Sequence, residues 1–398
     1  MKPLHPVLNV DIAIVGGGIA GLWLLAWLRQ RGYGALLIEN QRLGAGQTLC
    51  AQGIIHGGAK YSLGGQISDS AAAIAGMPEA WRRCLRGEGD LDLRAARLVA
   101  DHQYLWATRA PTSRLAAFFA STLMRDRMEK IAEADIDDYP PVLRHPRFRG
   151  AVYRLDEPIV DVASVLAALA EPQREAIILH QGPAMPTADG TFTLRYAGRQ
   201  TWAIRPVYTV FAAGAGNAVL PWATLQLRPL HMVMARGPAL PGPLHAHCLG
   251  ASDTPRLTVT SHHDAEGRLV WYLGGGLAEG GVERNRYDQI QAARRELKAL
   301  LPWVDWSSVE FATFTVQRAE AQQPRGGRPA EPGIFRNERV LAVWPTKLAL
   351  APLLAERVEA MLHTLGARPR PVNLLPLATW PRPLVAVPPW DREDLEWS

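Results

Sequence analysis

Apolar and polar positions follow a readable order at the start of the chain. Val10-Asp11-Ile12-Ala13-Ile14-Val15 is a short β-rich run that stops at Gly16-Gly17-Gly18. From Ile19 to Leu28 the pattern is that of an apolar helix, halted at Arg31-Gly32, and Ala35-Leu36-Leu37-Ile38 then predicts a second strand ending at Glu39. Strand, glycine turn, helix and strand in about thirty residues form a βαβ unit. Ser113 to Ile131 reads as an amphipathic helix capped by Thr112 or Ser113, before Tyr139-Pro140-Pro141 breaks the pattern. Asp161 is placed to cap a helix from Val162 to Leu169, and Val207 to Ala213 is a buried strand stopped by Gly214-Ala215-Gly216. From Arg228 to about Val316 short strands such as Leu269 to Leu273 alternate with glycine turns, interrupted by one helix from Gln289 to Leu301. This texture predicts an antiparallel sheet inserted into an α/β body. Val340 to Val343 reads as a strand, and Leu350 to Leu365 as a helix that tolerates Pro352 in its first turn. Beyond Gly366 the chain is proline-rich and is expected to run extended over the surface.

Composition narrows the class. A length of 398 residues exceeds one ordinary domain, so two domains are expected. With 48% apolar and 20% charged residues the chain has the balance of a folded protein, which excludes a disordered one. No uninterrupted apolar stretch approaches the roughly 18 residues of a membrane-spanning helix. The apolar run at the start contains Asp11 and leads into glycines, as a buried strand does and a secretory signal does not. The net charge of +5 suits an anionic small ligand or loose contact with an anionic membrane surface. Basic residues are scattered and no nucleic-acid motif accompanies them, so nucleic acid is not expected as a partner. Cys50, Cys84 and Cys248 are odd in number and lack metal-ligand spacing, which points to a reducing cytoplasm with neither disulfides nor a metal site.

The chemistry begins at Gly16-x-Gly18-x-x-Gly21, which sits between a strand and a helix. There the first glycine permits a tight turn, the second lets the backbone approach a pyrophosphate, and the third lets helix and strand pack closely. Phosphates placed at this helix N-terminus meet unpaired N–H groups and the positive end of the dipole. Glu39 follows at about the twenty-residue distance where a carboxylate accepts hydrogen bonds from ribose hydroxyls, which also disfavours a ribose 2′-phosphate.

Four further segments join this motif: Gly44-Ala45-Gly46-Gln47-Thr48, Gly53-Ile54-Ile55-His56-Gly57-Gly58-Ala59-Lys60-Tyr61, Val210-Phe211-Ala212-Ala213-Gly214, and Trp344-Pro345-Thr346-Lys347-Leu348-Ala349-Leu350-Ala351-Pro352. Together they resemble the D-amino-acid oxidase and glycine oxidase superfamily of FAD-dependent oxidoreductases, over nearly the whole chain to about Gly366. The stretch around His56 is most similar to the flavin loop of glycerol-3-phosphate and L-2-hydroxyglutarate dehydrogenases. A disulfide reductase would need a closely spaced cysteine pair, and an aromatic hydroxylase a Gly-Asp signature where Trp344-Pro345-Thr346-Lys347 stands. The resemblance therefore implies FAD.

It also implies roles. Gly16, Gly18, Gly21, Glu39, Gln47, Thr48, Gly53, Gly214, Lys347 and Leu348 are the expected cofactor contacts. The Leu350 helix should start near the flavin, its N-terminal partial charge and Lys347 favouring the reduced anionic form by about 0.3–1 kcal/mol; a surface lysine is the alternative. Arg318 stands where amino-acid-oxidising members pair an arginine with the substrate carboxylate, although the proline that often follows it is absent. A structural salt bridge to Glu320 or another acid is the plainer role for that residue. His56 is either a base toward a substrate hydroxyl or a histidine hydrogen-bonded within the loop. Lys60 and Tyr61 are expected to contact substrate. His262 and His263 lie in the expected sheet insertion and are expected in an exposed turn before Asp264, facing the flavin being the alternative. Cys50 is expected to be inert and buried, a thioether to the flavin being the alternative. The thirteen tryptophans serve core packing and tail docking, or else a membrane-contact patch.

The expected fold class is thus α/β, in an α+β two-domain arrangement: a Rossmann-like FAD-binding domain interleaved with an antiparallel-sheet substrate domain. The expected division gives residues 1–80, 151–225 and 311–366 to the FAD-binding domain, 81–150 and 226–310 to the substrate domain, and 367–398 to the tail. The expected reaction is hydride transfer to the flavin from a small anionic amine or amino acid, with oxygen or a quinone-type carrier reoxidising it. A 2-hydroxy acid or phosphorylated polyol is the alternative substrate. A flavoprotein subunit that docks a partner chain through its tail is a third reading. The protein is expected in the cytoplasm, with peripheral contact to the inner face of the membrane left open.

Overall fold

The computed structural model describes residues 6–58, 74–108, 128–196, 201–250 and 254–398. Lys60, Tyr61 and most of the helix expected from Ser113 lie outside the described residues. Two sheets organise the rest. The first is seven-stranded. Its parallel centre runs β17 (Val340–Trp344), β10 (Trp202–Phe211), β1 (Val7–Val15), β2 (Ala35–Glu39) and β8 (Ile177–Leu179). Two antiparallel strands flank it, β16 (Gly333–Asn337) against β17 and β9 (Phe192–Leu194) against β10. The chain leaves β1 for β2 on one side while β10 fills the other, so the glycine turn opens at a switch point of a parallel sheet, where such sheets bind ligands.

Helix α1 (Ile19–Gln30) is buried from Ile19 through Leu28, which explains why its pattern is nearly all apolar. It packs beneath the sheet with α3 (Val162–Ala170) and α5 (Ala351–Thr364). Trp23 lies 4.7 Å from Trp81 of α2 (Met77–Arg86), centroid to centroid, and Trp27 donates its indole N–H to Glu359 at 2.7 Å. Asp161 caps α3 as expected, accepting the Ser164 N–H at 2.7 Å, a contact worth about 1 kcal/mol.

The second sheet has eight strands in the order β15 (Glu310–Ala321), β11 (Leu225–Arg236), β14 (Leu269–Gly274), β13 (Leu257–His263), β12 (Ala246–Cys248), β4 (Gln103–Ala107), β6 (Ala151–Leu155) and β5 (Met128–Ile131). All neighbours are antiparallel except β12 and β4. Helix α4 (Arg286–Leu300) packs on one face of it through Ile290, Ala293 and Leu297. Three expectations need correction. Met128 to Ile131, read as the end of a helix, is a strand, because it pairs with β6. Ala151–Leu155 and residues 311–321 of β15, expected in the FAD-binding part, pair within the eight-stranded sheet. His262, expected in an exposed turn, is a buried residue of β13 stacked on Trp390 at 4.0 Å, whereas His263 is exposed.

The β11–β15 pair runs between the two cores. Ala319 and Ala321 are buried with the first sheet, and Phe311, Val233 and Ala235 with the second. Any cavity between the sheets is therefore walled by the middle of β15.

Candidate active site

Two adjoining cavities open at the C-terminal ends of the parallel strands. The larger, about 560 Å³, is lined by Gly16 to Ala20, Glu39 to Arg42, Gly44 to Thr48, Ala212 to Gly216 and Val343 to Pro345. Its floor is backbone. Gly16 has a φ of +109°, and a Cβ on Gly21 would overlap the Gly16 carbonyl oxygen, so neither position takes a side chain without displacing the turn. Thr48 accepts the Ile19 N–H at 3.2 Å, tying the loop after β2 to the start of α1. Glu39 accepts N–H groups from Gly17 (2.6 Å), Asn40 and Gln41 (2.8 Å each). A carboxylate has about four acceptor sites, so one remains for a ribose hydroxyl. Gly214, at φ +59°, accepts the Trp344 indole N–H at 3.0 Å, and Asn217 binds the carbonyls of Phe211 and Val343. These contacts clamp the ends of β10 and β17 side by side. Gln47 donates to and accepts from the Ala319 backbone, fixing the loop against β15.

The fit to a dinucleotide is good: a long, backbone-lined cavity, a helix N-terminus and a carboxylate at the ribose position. The FAD dependent oxidoreductase (DAO) family model matches residues 11–339, which include every one of these segments except the Trp344 turn. The chain belongs to the DAO family of FAD-dependent oxidoreductases. A probable FAD-dependent oxidoreductase of Pseudomonas aeruginosa, PA4991, is 45% identical over 393 residues, covering 96% of this chain and 98% of that one. Its crystal structure superposes with a TM-score of 0.82 at 41% identity, over 98% and 99% of the two chains. Glycine oxidase of Geobacillus kaustophilus shares the fold at 18% identity (TM-score 0.63, 93% and 98% covered). So does the L-α-glycerophosphate oxidase of Mycoplasma pneumoniae with FAD bound, at 11% identity (TM-score 0.60, 89% and 95% covered). The DAO chain is thus an FAD-dependent enzyme, and the two-sheet α/β fold is that of the family.

The second cavity, about 230 Å³, shares Ile19, Gln47, Thr48, Cys50, Val316 and Pro345 with the first. Here side chains make the wall. Gly53 and Leu348 line this cavity, and the tight contact of Gly53 is with the Val160 backbone. Lys347 also lines it, following Thr346, whose φ of +65° is strained for a β-branched residue. Arg318 is half-buried in this wall. Its Nε donates to the Arg228 carbonyl at 3.3 Å, and its ion pair is with Glu279 at 3.8 Å. Glu279 is thus the acid that pairs with it, since Glu320 is held by Arg228 at 3.1 Å. Burial, with Arg228 alongside, lowers the Arg318 pKa from its ordinary value.

His56 lines the same cavity, and behind it stands a residue that spacing along the chain did not reveal. Glu157 is buried; its Oε2 meets His56 Nδ1 at 3.1 Å and Gln103 Nε2 at 2.5 Å, and its Oε1 accepts the Gly57 N–H at 2.7 Å. Burial works against its ionisation, but the hydrogen bonds from His56, Gly57 and Gln103 outweigh it and hold the carboxyl below its ordinary range. His247 stacks on His56 (5.8 Å, 16°), and its Nδ1 contacts the Thr258 hydroxyl at 2.8 Å. Ligand atoms of His56, Glu157 and His247 lie within 4.8 Å of one another, a donor set that also suits a divalent ion. Cys50 is half-buried at the junction of the cavities, and burial pushes its thiol up to about 11, which keeps it protonated and a poor nucleophile. Among the described residues no helix is long and apolar enough to cross a membrane.

Proposed function

We propose that FAD occupies the larger cavity and that the enzyme oxidises a small anionic hydroxy compound, such as a 2-hydroxy acid, held in the adjoining one. The observation that carries this reading is the His56–Glu157 pair. With Nδ1–H directed at an ionised, buried carboxylate, the imidazole is fixed in the tautomer whose Nε2 takes a proton, and the carboxylate stabilises the imidazolium that results. An alcohol must lose its hydroxyl proton during oxidation, whereas an amine sheds one to solvent beforehand. When bound, FAD supplies the redox chemistry, accepting the hydride from the substrate carbon.

The chain's other residues position the substrate. Arg228, Arg318, Arg328 and Lys347 line the second cavity against Glu279 and Glu320, a cationic excess among the described residues that favours an anion. Arg318 has the weaker of the two contacts to Glu279, the pair to Arg328 being 2.5 Å, so its guanidinium is the group best placed to exchange a protein carboxylate for a substrate one.

The Arg318 placement also favours a second reading, oxidation of an amino acid or other anionic amine, in which His56 carries no proton. Anaerobic bleaching of the flavin band separates the two. Bleaching by 2-hydroxy acids or glycerol phosphate is expected. Bleaching by amino acids alone would leave Arg318 its role and remove that of His56.

A further inference from the structure

Residues 367–398 are a strap that crosses both sheets. Arg370 donates its N–H to Asp11 at 2.7 Å. Trp380 binds the Leu179 carbonyl at 2.8 Å and Arg382 the Ile177 carbonyl at 2.9 Å, so the strap covers the edge strand β8. Leu43 exchanges two backbone hydrogen bonds with Leu384 and Ala386 (2.9 and 3.0 Å). Leu43 in turn packs on Gly17 of the phosphate-type turn, and its neighbour Gly44 donates to the Gly17 carbonyl at 2.9 Å. The strap then moves to the second sheet. Trp390 stacks on buried His262, and Asp391 accepts the Ala265 N–H at 2.8 Å. Leu395 and Trp397 pack with Met232 and Met234, and Ser398 exchanges backbone hydrogen bonds with Phe311 (3.0 and 3.1 Å).

Between these anchors Arg392 lies on the wall of the larger cavity, its guanidinium paired with the exposed Asp394 of the strap (2.6 and 3.0 Å), 5.5 Å from the Phe314 ring centroid and with its charge felt by Cys50. Among the described residues the charged members of that wall are Glu39, Arg42 and Arg392. FAD brings two negative charges on its pyrophosphate and gains another when its ring is reduced to the anion. Because its partner Asp394 is exposed, the Arg392 guanidinium can turn its spare donors to a flavin or phosphate oxygen in that cavity, a role a loose surface tail would not need.

We propose that Arg392 binds the FAD directly and that the 367–398 strap is one wall of the cofactor site, holding the flavin in place after it enters. The test is flavin retention, which involves no substrate and so stands apart from the hydroxy-acid reading. FAD is titrated into flavin-free protein and followed by flavin fluorescence, for the full chain and for R392A, R392K and W390A. Melting of the flavin-free proteins is measured in parallel. One charge-assisted hydrogen bond corresponds to about a tenfold change in affinity. R392A is expected to bind FAD about tenfold more weakly with the flavin-free melting temperature unchanged, and R392K to recover part of the loss. W390A, which frees the strap upstream, is expected to speed FAD release on dilution. Binding of FAD by R392A within about twofold of the full chain would overturn the proposal. So would a loss in R392A matched by an equal fall in flavin-free stability, since the strap would then be structural only.

Discussion

The two cavities share a wall but are made in different ways. The larger cavity, proposed for FAD, is built mainly from backbone: the Gly16–Gly21 turn, the ends of β10 and β17, and a carboxylate one strand away. The adjoining cavity, proposed for substrate, is built from side chains delivered by separate elements, with His56 from the loop after β2, His247 from β12, and Arg228 and Arg318 from β11 and β15, while Glu157 from the turn after β6 stands behind His56. A backbone site depends on glycines at fixed short intervals and admits one ligand class. A side-chain site depends on tertiary register, and single replacements can change its chemistry without disturbing the fold. The sharpest way to break this contrast is to damage one cavity and read the other.

The largest effect is expected at His56. H56A should lower the rate of anaerobic flavin reduction by a hydroxy substrate about 10²- to 10⁴-fold, the usual worth of a general base, with FAD content unchanged. An equal loss with an amine substrate would show that His56 shapes the cavity without moving a proton. Dialysis against a chelator should leave the rate as it was if the His56–Glu157–His247 cluster works as a proton relay, and abolish it if the cluster works through a metal ion. The reciprocal damage is G21A. Its added Cβ meets the Gly16 carbonyl inside the turn, so FAD affinity should fall by about a hundredfold, near 2.7 kcal/mol, read as loss of yellow colour on gel filtration. Retention of the flavin by G21A would show that the turn can shift, and that the cavity is less a backbone construction than it looks.

The same contrast decides what could be read in advance. The βαβ unit and the Asp161 cap were legible because each is settled within one or two neighbouring elements in sequence. Glu157 was not. It follows Asp156 in Leu155-Asp156-Glu157-Pro158, and nothing in that string says which acid turns inward. The decision is made by Ile159 bridging to Ile54, a contact more than a hundred residues long in the chain, which brings the loop carrying His56 beneath the acid. His247 follows the alternation of a three-residue strand too short to announce itself. For Arg318 the sequence offered Glu320 or another acid as ion-pair partner; residues two apart on a strand share a face, but the acid that pairs, Glu279, arrives from another element.

Glu157 sharpens the comparison at a smaller scale. It does not line the cavity and acts through His56, so it is a positioning residue. E157Q keeps the size of the side chain and loses the charge; kcat should fall about tenfold with KM and FAD absorbance unchanged, and E157D should recover part of it. If KM rises in step with the fall in kcat, Glu157 holds the cavity wall in shape and its charge is incidental.

The smallest effect expected is on stability, and it separates the two sheets. The eight-stranded sheet buries His262 and holds His245 beside its core; burial lowers their pKa values to about 3 and about 4, with the positive charge of His245 adding to the shift of His262 and that of His102 to the shift of His245. Unfolded, both titrate near 6.5. Between about pH 6.5 and 4 the unfolded chain therefore binds protons that the folded one refuses, so folding stability is whole above that window and falls as pH drops through it. Each histidine should cost about 1 kcal/mol between pH 6 and 5. Urea unfolding of the full chain at the two pH values, followed by tryptophan fluorescence, measures the sum. H262Q should remove about half of the pH dependence, because a glutamine there has no proton to gain. Trp390 sits on His262, so the same acid weakening should loosen the strap and release FAD sooner at pH 5 than at pH 7, and H262Q should blunt that release. An acid loss of flavin that H262Q leaves untouched would place the sensitive group in the cofactor cavity itself, where Glu39 is the carboxylate to test next.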